Sequence, residues 1–304
     1  MRARAGRERD DVADATRKAK NAPPRADTST VSQTGETFAA RLRAGRGTDG
    51  GFGPRAGLPS EPEPTALATI ALDDAAGRAW LAAHQDRHGA VAFDAAIVVN
   101  DSASGLAAIA FDDRPARDRA LDHLEGGLAR TLPSTPNVPH DESVHGWAWT
   151  EGTFGWVEPT ARGILALRLL RPDAAAIADG VGMLRDRESV GGGWNYGNRV
   201  VFGEELPPYA QTTAAALVAL QGLDAELEAR GLATLRRLWR EERDGGLSLA
   251  TATAALRLHG DDDASRAGRA LARAFDGSID DTVALAWATI ATGPGLARLE
   301  VRAR

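Results

Sequence analysis

The chain has 304 residues, 43% of them hydrophobic, carries a formal charge of -6 at pH 7 and contains no Cys. These values exclude disulfides, thiolate nucleophiles and Cys-ligated zinc, leave no general attraction for nucleic acid, and make a reducing cytoplasm the expected compartment. No apolar run approaches the roughly 20 residues of a membrane span, and the first residues lack the apolar middle of a secretory signal.

Residues 1–30 alternate Arg, Lys, Asp, Ala and Pro without apolar periodicity and are expected to form a disordered tail, with residues 31–304 a single domain. A charged helix near residues 34–46 opens that domain. Six copies of one pattern follow, a polar turn with Thr or Ser among small residues leading into an Ala/Leu-rich helix. The copies are Glu63-Pro64-Thr65-Ala66-Leu67, Asn100-Asp101-Ser102-Ala103, Glu158-Pro159-Thr160-Ala161, Gln211-Thr212-Thr213-Ala214, Ser248-Leu249-Ala250-Thr251 and Ile279-Asp280-Asp281-Thr282. A more charged helix follows each of the first five.

The Ala/Leu-rich segments, such as 161–170 and 214–220, are apolar nearly all round and therefore need cover on two sides. The charged segments keep one wet face. Over 224–239, Leu227, Leu232, Leu235 and Leu238 fall on one side and Glu226, Glu228, Arg230, Arg236 and Arg237 on the other. Gly-rich turns at Gly50-Gly51, Gly191-Gly192-Gly193, Gly245-Gly246 and Gly277 separate the pairs. A self-similar helical pair cannot bury its apolar side alone. The pattern thus predicts an all-α fold in which six inner and six outer helices close into an α/α toroid, an α6/α6 barrel.

Two connections are long, 131–157 and 188–208, and long loops in a compact repeat protein usually carry function. They hold Trp147, Trp149, Phe154, Trp156, Trp194, Tyr196 and Phe202, with Tyr209 directly after the second, so that both tyrosines of the chain gather here. These rings either pin the loops to the barrel rim or line a ligand pocket. If the inner helices run parallel, their N-termini gather at one mouth, together with Glu63, Asp101, Glu158, Gln211, Thr251 and Asp280. Each acid alone can serve as a helix cap. Six positive helix ends there could also hold an anionic group such as a diphosphate, with help from Arg162 or Arg199.

His140 and His145 flank Asp141 and Glu142 in the first long loop, but the surrounding prolines mark a solvated segment, and no metal or other cofactor is expected. His84, His88, His123 and His259 are read as surface or packing residues. The Asp261-Asp262-Asp263 run is expected to face solvent as a charged cap of an outer helix.

Several stretches carry a resemblance. Asp49-Gly50-Gly51-Phe52-Gly53, Gly192-Gly193-Trp194-Asn195-Tyr196, Asp244-Gly245-Gly246-Leu247 and Asp276-Gly277-Ser278 precede the Thr-Ala helices as Gly-Gly-aromatic turns do in the terpenoid cyclase and protein prenyltransferase superfamily, which this chain resembles over about residues 35–304. The Gln-x-x-x-Gly-x-Trp repeat of squalene-hopene-type cyclases is similar to Gln85, Gly89 and Val91, to Glu188, Gly192 and Trp194, and to Glu241, Gly245 and Leu247. The resemblance implies a toroid that binds an isoprenoid or similar apolar ligand. It also implies class II cyclisation, started by the middle Asp of an Asp-x-Asp-Asp motif. Here Ser278-Ile279-Asp280-Asp281-Thr282 aligns with that motif, which makes Asp280 the expected acid with Asp281 beside it, while Ser278 replaces a supporting carboxylate. An Asp donating near pH 7 needs a pKa about 3 units above its usual value, which dry burial supplies. The zinc site of the prenyltransferases needs a Cys and is excluded. Because family cyclases place their cavity between two barrels, a homodimer or second barrel subunit is implied as well.

The expected substrate-binding set is Glu63, Asp101, Trp147, Trp149, Trp156, Glu158, Trp194, Tyr196, Tyr209 and Gln211. Two other readings stay open. One is a carbohydrate-active α/α-barrel whose Glu63 and Glu158 stand about 6.5–9.5 Å apart for inverting hydrolysis. The other is a non-catalytic binding or scaffold barrel, favoured if the acids of the mouth are all satisfied. The helical architecture is checked by circular dichroism: a strongly helical spectrum is expected, and substantial strand content would contradict it.

Overall fold

The computed structural model describes residues 28–95, 98–100, 102–150, 152–242, 245–275 and 280–302. Asp101, Ser278 and most of the expected tail lie outside the described residues. Helix α1 (Thr28–Ala44) is followed by α2 (Pro62–Leu72), α3 (Ala75–Ala83), α4 (Ser104–Ala110), α5 (Arg114–Gly126), α6 (Val157–Leu170) and α7 (Ala176–Asp186). Then come α8 (Ala210–Leu220), α9 (Ala225–Glu241), α10 (Gly246–Leu258), α11 (Ala264–Ala274), α12 (Thr282–Thr292) and a short 3-10 turn, Pro294–Leu299. Strand structure is confined to two small antiparallel hairpins among the described residues, Phe93–Ala95 with Val98–Asn100 and Val200–Val201 with Glu204–Glu205. The chain is therefore essentially all-α, and no described helix is long and apolar enough to cross a membrane.

The six Ala/Leu-rich helices of the sequence pattern are α2, α4, α6, α8, α10 and α12. Each packs on the next in that order, and α12 packs back on α2. Their residues are buried on nearly every face, as their composition requires: in α8 only Gln211 and Ala215 escape full burial. Helices α3, α5, α7, α9 and α11 each pack on the inner helix before them and keep a wet side.

Side chains at the two ends show that the inner helices point the same way. Glu63, Ser102, Glu158, Arg162 and Gln211 bring the starts of α2, α4, α6 and α8 together. Glu242 joins the start of α8 to that of α10 by accepting from Ala210 N (2.9 Å) and Ser248 Oγ (2.8 Å). At the opposite end, Arg168 of α6 donates to the last carbonyls of α8, Ala219 O at 2.7 Å and Leu220 O at 2.8 Å, and Arg257 of α10 donates to Ala291 O of α12. A cation placed on a helix C-terminus satisfies both its orphan carbonyls and its dipole.

A Thr or Ser near the start of the inner helix is a structural lock, in the second repeat Ser104 and not the Ser102 of the sequence pattern. The hydroxyl accepts the backbone N–H of the apolar residue in the preceding turn: Phe52 on Thr65 (2.9 Å), Val91 on Ser104 (2.9 Å), Trp147 on Thr160 (3.0 Å) and Trp194 on Thr213 (3.0 Å). Thr65, Thr160 and Thr213 also donate back to the carbonyl of the same residue. A buried N–H that no helix or sheet serves is thus satisfied by one side chain, while the carbonyl also accepts a later backbone N–H, that of Glu61, Trp156 or Tyr209. The turn glycines fit the same design. Gly89 and Gly192 have φ of +92° and +101°, and a Cβ on either would lie 2.0 or 2.7 Å from a carbonyl of the next outer helix, Arg119 O or Arg230 O. Gln85 and Glu188, four residues before those glycines, reach the same two helices: Gln85 donates to Ala116 O (2.9 Å) and accepts from Arg119 (2.7 Å), and Glu188 receives Arg230 at 2.8 Å on both oxygens.

Three sequence expectations are corrected. Ser248 to Thr251 were expected as a turn but lie inside α10, which begins at Gly246, because Gly245 and Glu242 already end the preceding segment. Glu228, expected on the wet side of α9, is buried; it accepts from Gly222 N (2.9 Å) and Asp224 N (3.0 Å) and so completes the cap that Asp224 begins on Leu227 N. Asp261 and Asp263 do not face solvent: their side chains are only 2% and 7% exposed, paired with Arg236 and with Arg240 and Arg266, and they tie α9 to α11.

Thr213→Val keeps the shape of the side chain and removes the lock on Trp194. It should cost about 1–3 kcal/mol, the penalty for a buried N–H left without an acceptor, read as a lower urea midpoint. An unchanged midpoint would contradict the assigned role.

Candidate functional site

The N-terminal ends of the inner helices form a face where carboxylate, guanidinium and amide side chains from several repeats converge. Helix α6 supplies its centre. Glu158 sits in its first turn, where a carboxylate suits the helix dipole, and Pro159 occupies a position whose missing N–H is not needed. Arg162 lies one turn further on the same side. Gly105 of α4 lets that helix approach, since a Cβ there would lie 2.9 Å from Arg162 O.

Arg162 is buried, its side chain 8% exposed, and its Nη2 donates both to Glu63 Oε1 of α2 and to Glu158 Oε1 (2.7 Å). Its Nη1 reaches Ser102 Oγ at 3.4 Å, and its guanidinium carbon lies 5.0 Å from the ring centre of Trp149. Gln211 of α8 donates to the second Glu158 oxygen at 3.3 Å. Three repeats are joined through one guanidinium, and Glu158 brings in the fourth. Two carboxylates share one cation, so the cluster carries one surplus negative charge in its ionised state.

Burial sets the electrostatics. It pushes the Glu158 carboxyl up from the ordinary glutamate value, with Arg162 opposing and Glu63 reinforcing the shift. For Arg162 burial works against the charge, but the Glu63 and Glu158 carboxylates outweigh it and hold the guanidinium above the usual arginine range. Tyr196 is also raised, by burial and then by the negative charge of Glu158, with Tyr209 and Glu242 adding to it.

The aromatic residues divide into two groups. Trp147 and Trp194, expected in a pocket, are enclosed at 5% and 0% exposure, and their indole N–H groups donate to Leu124 O (2.9 Å) of α5 and Leu184 O (2.7 Å) of α7. Gly163, Gly180 and Gly231 make room for the two indoles. These tryptophans are wall residues, because the locks of Thr160 and Thr213 turn them inward. Trp149, Phe154 and Trp156 are half-buried, and Tyr196 and Tyr209 are 45% and 40% exposed. Phe154 and Trp156 lie 4.7 Å apart between ring centres, Tyr196 and Tyr209 5.4 Å. A Cβ on Gly197 would lie 3.1 Å from the Trp156 ring, so the backbone of the second long loop lies directly on it.

The expected acid pair does not meet the requirement for a proton donor. The Asp280 side chain is 66% exposed and lies 3.5 Å from the equally exposed Arg55, so nothing dry surrounds it. Asp281 is the N-cap of α12, accepting from Ala284 N at 2.8 Å. Thr251, expected at the mouth, donates within its own helix to Leu247 O at 2.9 Å. Arg162, expected to help hold a diphosphate, is already bound by two carboxylates that would repel one.

His140 and His145 serve the loop: both ring nitrogens of His140 face carbonyls, Val138 O at 3.0 Å and Leu132 O at 2.7 Å, and His145 Nδ1 faces Thr131 Oγ1 at 3.0 Å. His84 stacks on Trp80. Among the described residues no group of three or more His, Asp or Glu could hold a metal ion. Compared with models of known protein families and with curated protein sequences, the chain matches none.

The Arg162 cluster as a unit is absent from the sequence reading, although two signals point to it. Glu158 and Arg162 have i,i+4 spacing, and the repeated Glu-Pro-Thr-Ala puts Glu63 and Glu158 at equivalent positions of neighbouring inner helices but one.

Arg162→Met strands two carboxylates in a buried place and should destabilise the protein at pH 7 by about 3–5 kcal/mol. The pH dependence has a definite sign. A carboxyl raised in the folded state binds more protons folded than unfolded, so its cost grows as pH climbs above the ordinary value of 4.5 and is relieved as pH falls back towards it. The variant should therefore recover stability between pH 7 and pH 5 more than wild type does, and Glu158→Gln should flatten that dependence. Chemical denaturation across this range is the check; a variant with the wild-type pH slope would contradict the assignment.

Proposed function

We propose that residues 31–302 form an α6/α6 toroid, as the resemblance to terpenoid cyclases implies, and that it works as a non-catalytic binding barrel. Its ligand is an isoprenoid or similar apolar molecule held by the rings of the N-terminal face. The cyclic packing order of α2, α4, α6, α8, α10 and α12 supports the toroid. One observation carries the binding reading: Glu63, Glu158, Asp280 and Asp281 are engaged by Arg162, Arg55 or a helix N-terminus, while Tyr196 and Tyr209 remain open on the face that also holds half-buried Trp149 and Trp156. Rings supply apolar area and, for a cationic group, a negative π face; a tied-up carboxylate supplies no proton.

A second reading has one observation in its favour. Burial biases Glu158 towards its protonated form, as it does Glu61 at the start of α2, so any proton-transfer chemistry would run through these glutamates and not Asp280. Inverting glycoside hydrolysis is disfavoured. The Glu63 and Glu158 oxygens share a single donor atom, which limits their separation to about 6 Å, twice a hydrogen-bond length, short of the range that reaction uses.

Titration with farnesol should change tryptophan fluorescence saturably. Trp149→Leu and Tyr196→Ala should each weaken binding about ten-fold, the worth of roughly 1.4 kcal/mol of lost ring contact, without turnover of the ligand. No saturable change with isoprenoids from geraniol to squalene would contradict the ligand class, and cyclised product abolished by Glu158→Gln would replace the binding reading with the second one.

A further inference from the structure

Helices α9 and α11 border a groove of about 540 Å³ that shares no residue with the Arg162 cluster. Arg240, near the end of α9, and Arg266, Arg269 and Arg273 of α11 line it, with Ala270 and Ala274 between them and the enclosed Trp239 beside Arg240. No carboxylate lines the groove among the described residues. In a chain whose formal charge is -6, four arginines gathered in one groove are not a background feature.

The other joints between outer helices show what such an arginine ordinarily does. Arg119 and Arg230 each stand six residues after the N-cap position of their helix, and each is taken by the residue four before a turn glycine, Gln85 (2.7 Å) and Glu188 (2.8 Å). Arg269 stands six residues after the N-cap position of α11, and Glu241 stands four before Gly245. Here the pair is not made. Glu241 turns back to Arg237 of its own helix at 2.8 Å, and Arg269 has no carboxylate partner among the described residues. Arg273 donates Nε to Arg269 O (3.2 Å) and likewise meets no carboxylate among them, while Arg240 and Arg266 share Asp263. Four guanidiniums against that single carboxylate leave three positive charges in surplus. Cations at i,i+3 and i,i+4 spacing weaken a helix, so the stripe of Arg266, Arg269 and Arg273 works against α11 unless an anion joins it.

Shape and chemistry narrow the class. The forked donors of arginine match phosphate and carboxylate oxygens. From Arg266 to Arg273 the stripe covers about 10 Å of helix axis, more than one phosphate reaches. A groove of this volume is of small-molecule size, and it offers no exposed aromatic or branched apolar side chain to anchor a protein partner. We propose that it is a binding site for a linear oligophosphate of three or more phosphoryl groups, whose oxygens lie along Arg266, Arg269 and Arg273 and meet Arg240 across the groove. Calorimetric titration of the full chain at constant, low ionic strength with sodium tripolyphosphate, inorganic phosphate and N-acetyl-triglutamate is the test. Saturable one-site binding of tripolyphosphate is expected, at least about ten-fold tighter than the other two. Arg269 and Arg273 are exposed, so Arg269→Gln and Arg273→Gln keep the fold; each should weaken tripolyphosphate at least about five-fold, the upper scale of one exposed ion pair. Arg114→Gln, which removes an exposed arginine of α5, should leave the affinity unchanged. The proposal is overturned by absence of saturable tripolyphosphate binding, by equal binding of phosphate, by equal or tighter binding of the triglutamate, which would make the groove an acidic-peptide site, or by a loss in Arg114→Gln as large as in Arg269→Gln.

Discussion

A helix that is apolar all round needs a neighbour on each side, and that need organises this protein. An open row of such helices would leave the first and last with a bare face. The contacts instead run from α2 through α12 and return to α2, so that every inner helix has two inner neighbours and most have an outer one as well. The outer helices are free to be amphipathic because they meet only one side. Much of what remains in the chain serves the joints: hydroxyl locks at the start of four repeats, arginines on the helix C-termini, and ion pairs that tie one outer helix to the next.

The same geometry makes the N-terminal face a place of concentrated polarity. Parallel helices present their positive ends together, and acidic residues in their first turns are favoured there. Glu63 and Glu158 occupy equivalent positions, close enough to repel, and Arg162 resolves the conflict by binding both. The cluster holds α2, α4, α6 and α8 in register. It also removes two carboxylates from the pool available for chemistry and leaves the half-open rings of the long loops as the surface a ligand would meet.

Much of the fold was legible in the sequence because it is repetitive: Glu63-Pro64-Thr65-Ala66 and Glu158-Pro159-Thr160-Ala161 announce the same start twice, and the unbroken apolar runs say which helices are enclosed. The role of the Thr was not legible. Its partner lies 13 residues back in three repeats and 19 in the fourth, across a turn whose path no periodicity fixes. The loops fail for the same reason, since nothing in the order of Trp147 and Trp149 says that the first is sealed in the wall and the second rests on Arg162. Asp280 was placed by its motif, but motif position carries no information about burial, and the exposed Arg55 beside it marks a wet site. The Arg162–Glu63 pair joins residues 99 apart and emerges only once the helices are set side by side.

Return of the last inner helix to the first is the claim on which this account rests, and it can be tested covalently because the chain has no Cys of its own. Arg55, in the loop before α2, and Asp281, at the start of α12, face each other as an isolated antiparallel bridge, and Thr282 N donates to Pro54 O at 2.9 Å beside it. Facing residues in such a bridge are within reach of a disulfide. In the double variant Arg55→Cys, Asp281→Cys, mild oxidation of the folded monomer should consume both thiols and give a faster-migrating monomer on a non-reducing gel. Thiols that stay free, or that link only between chains, would contradict the closure.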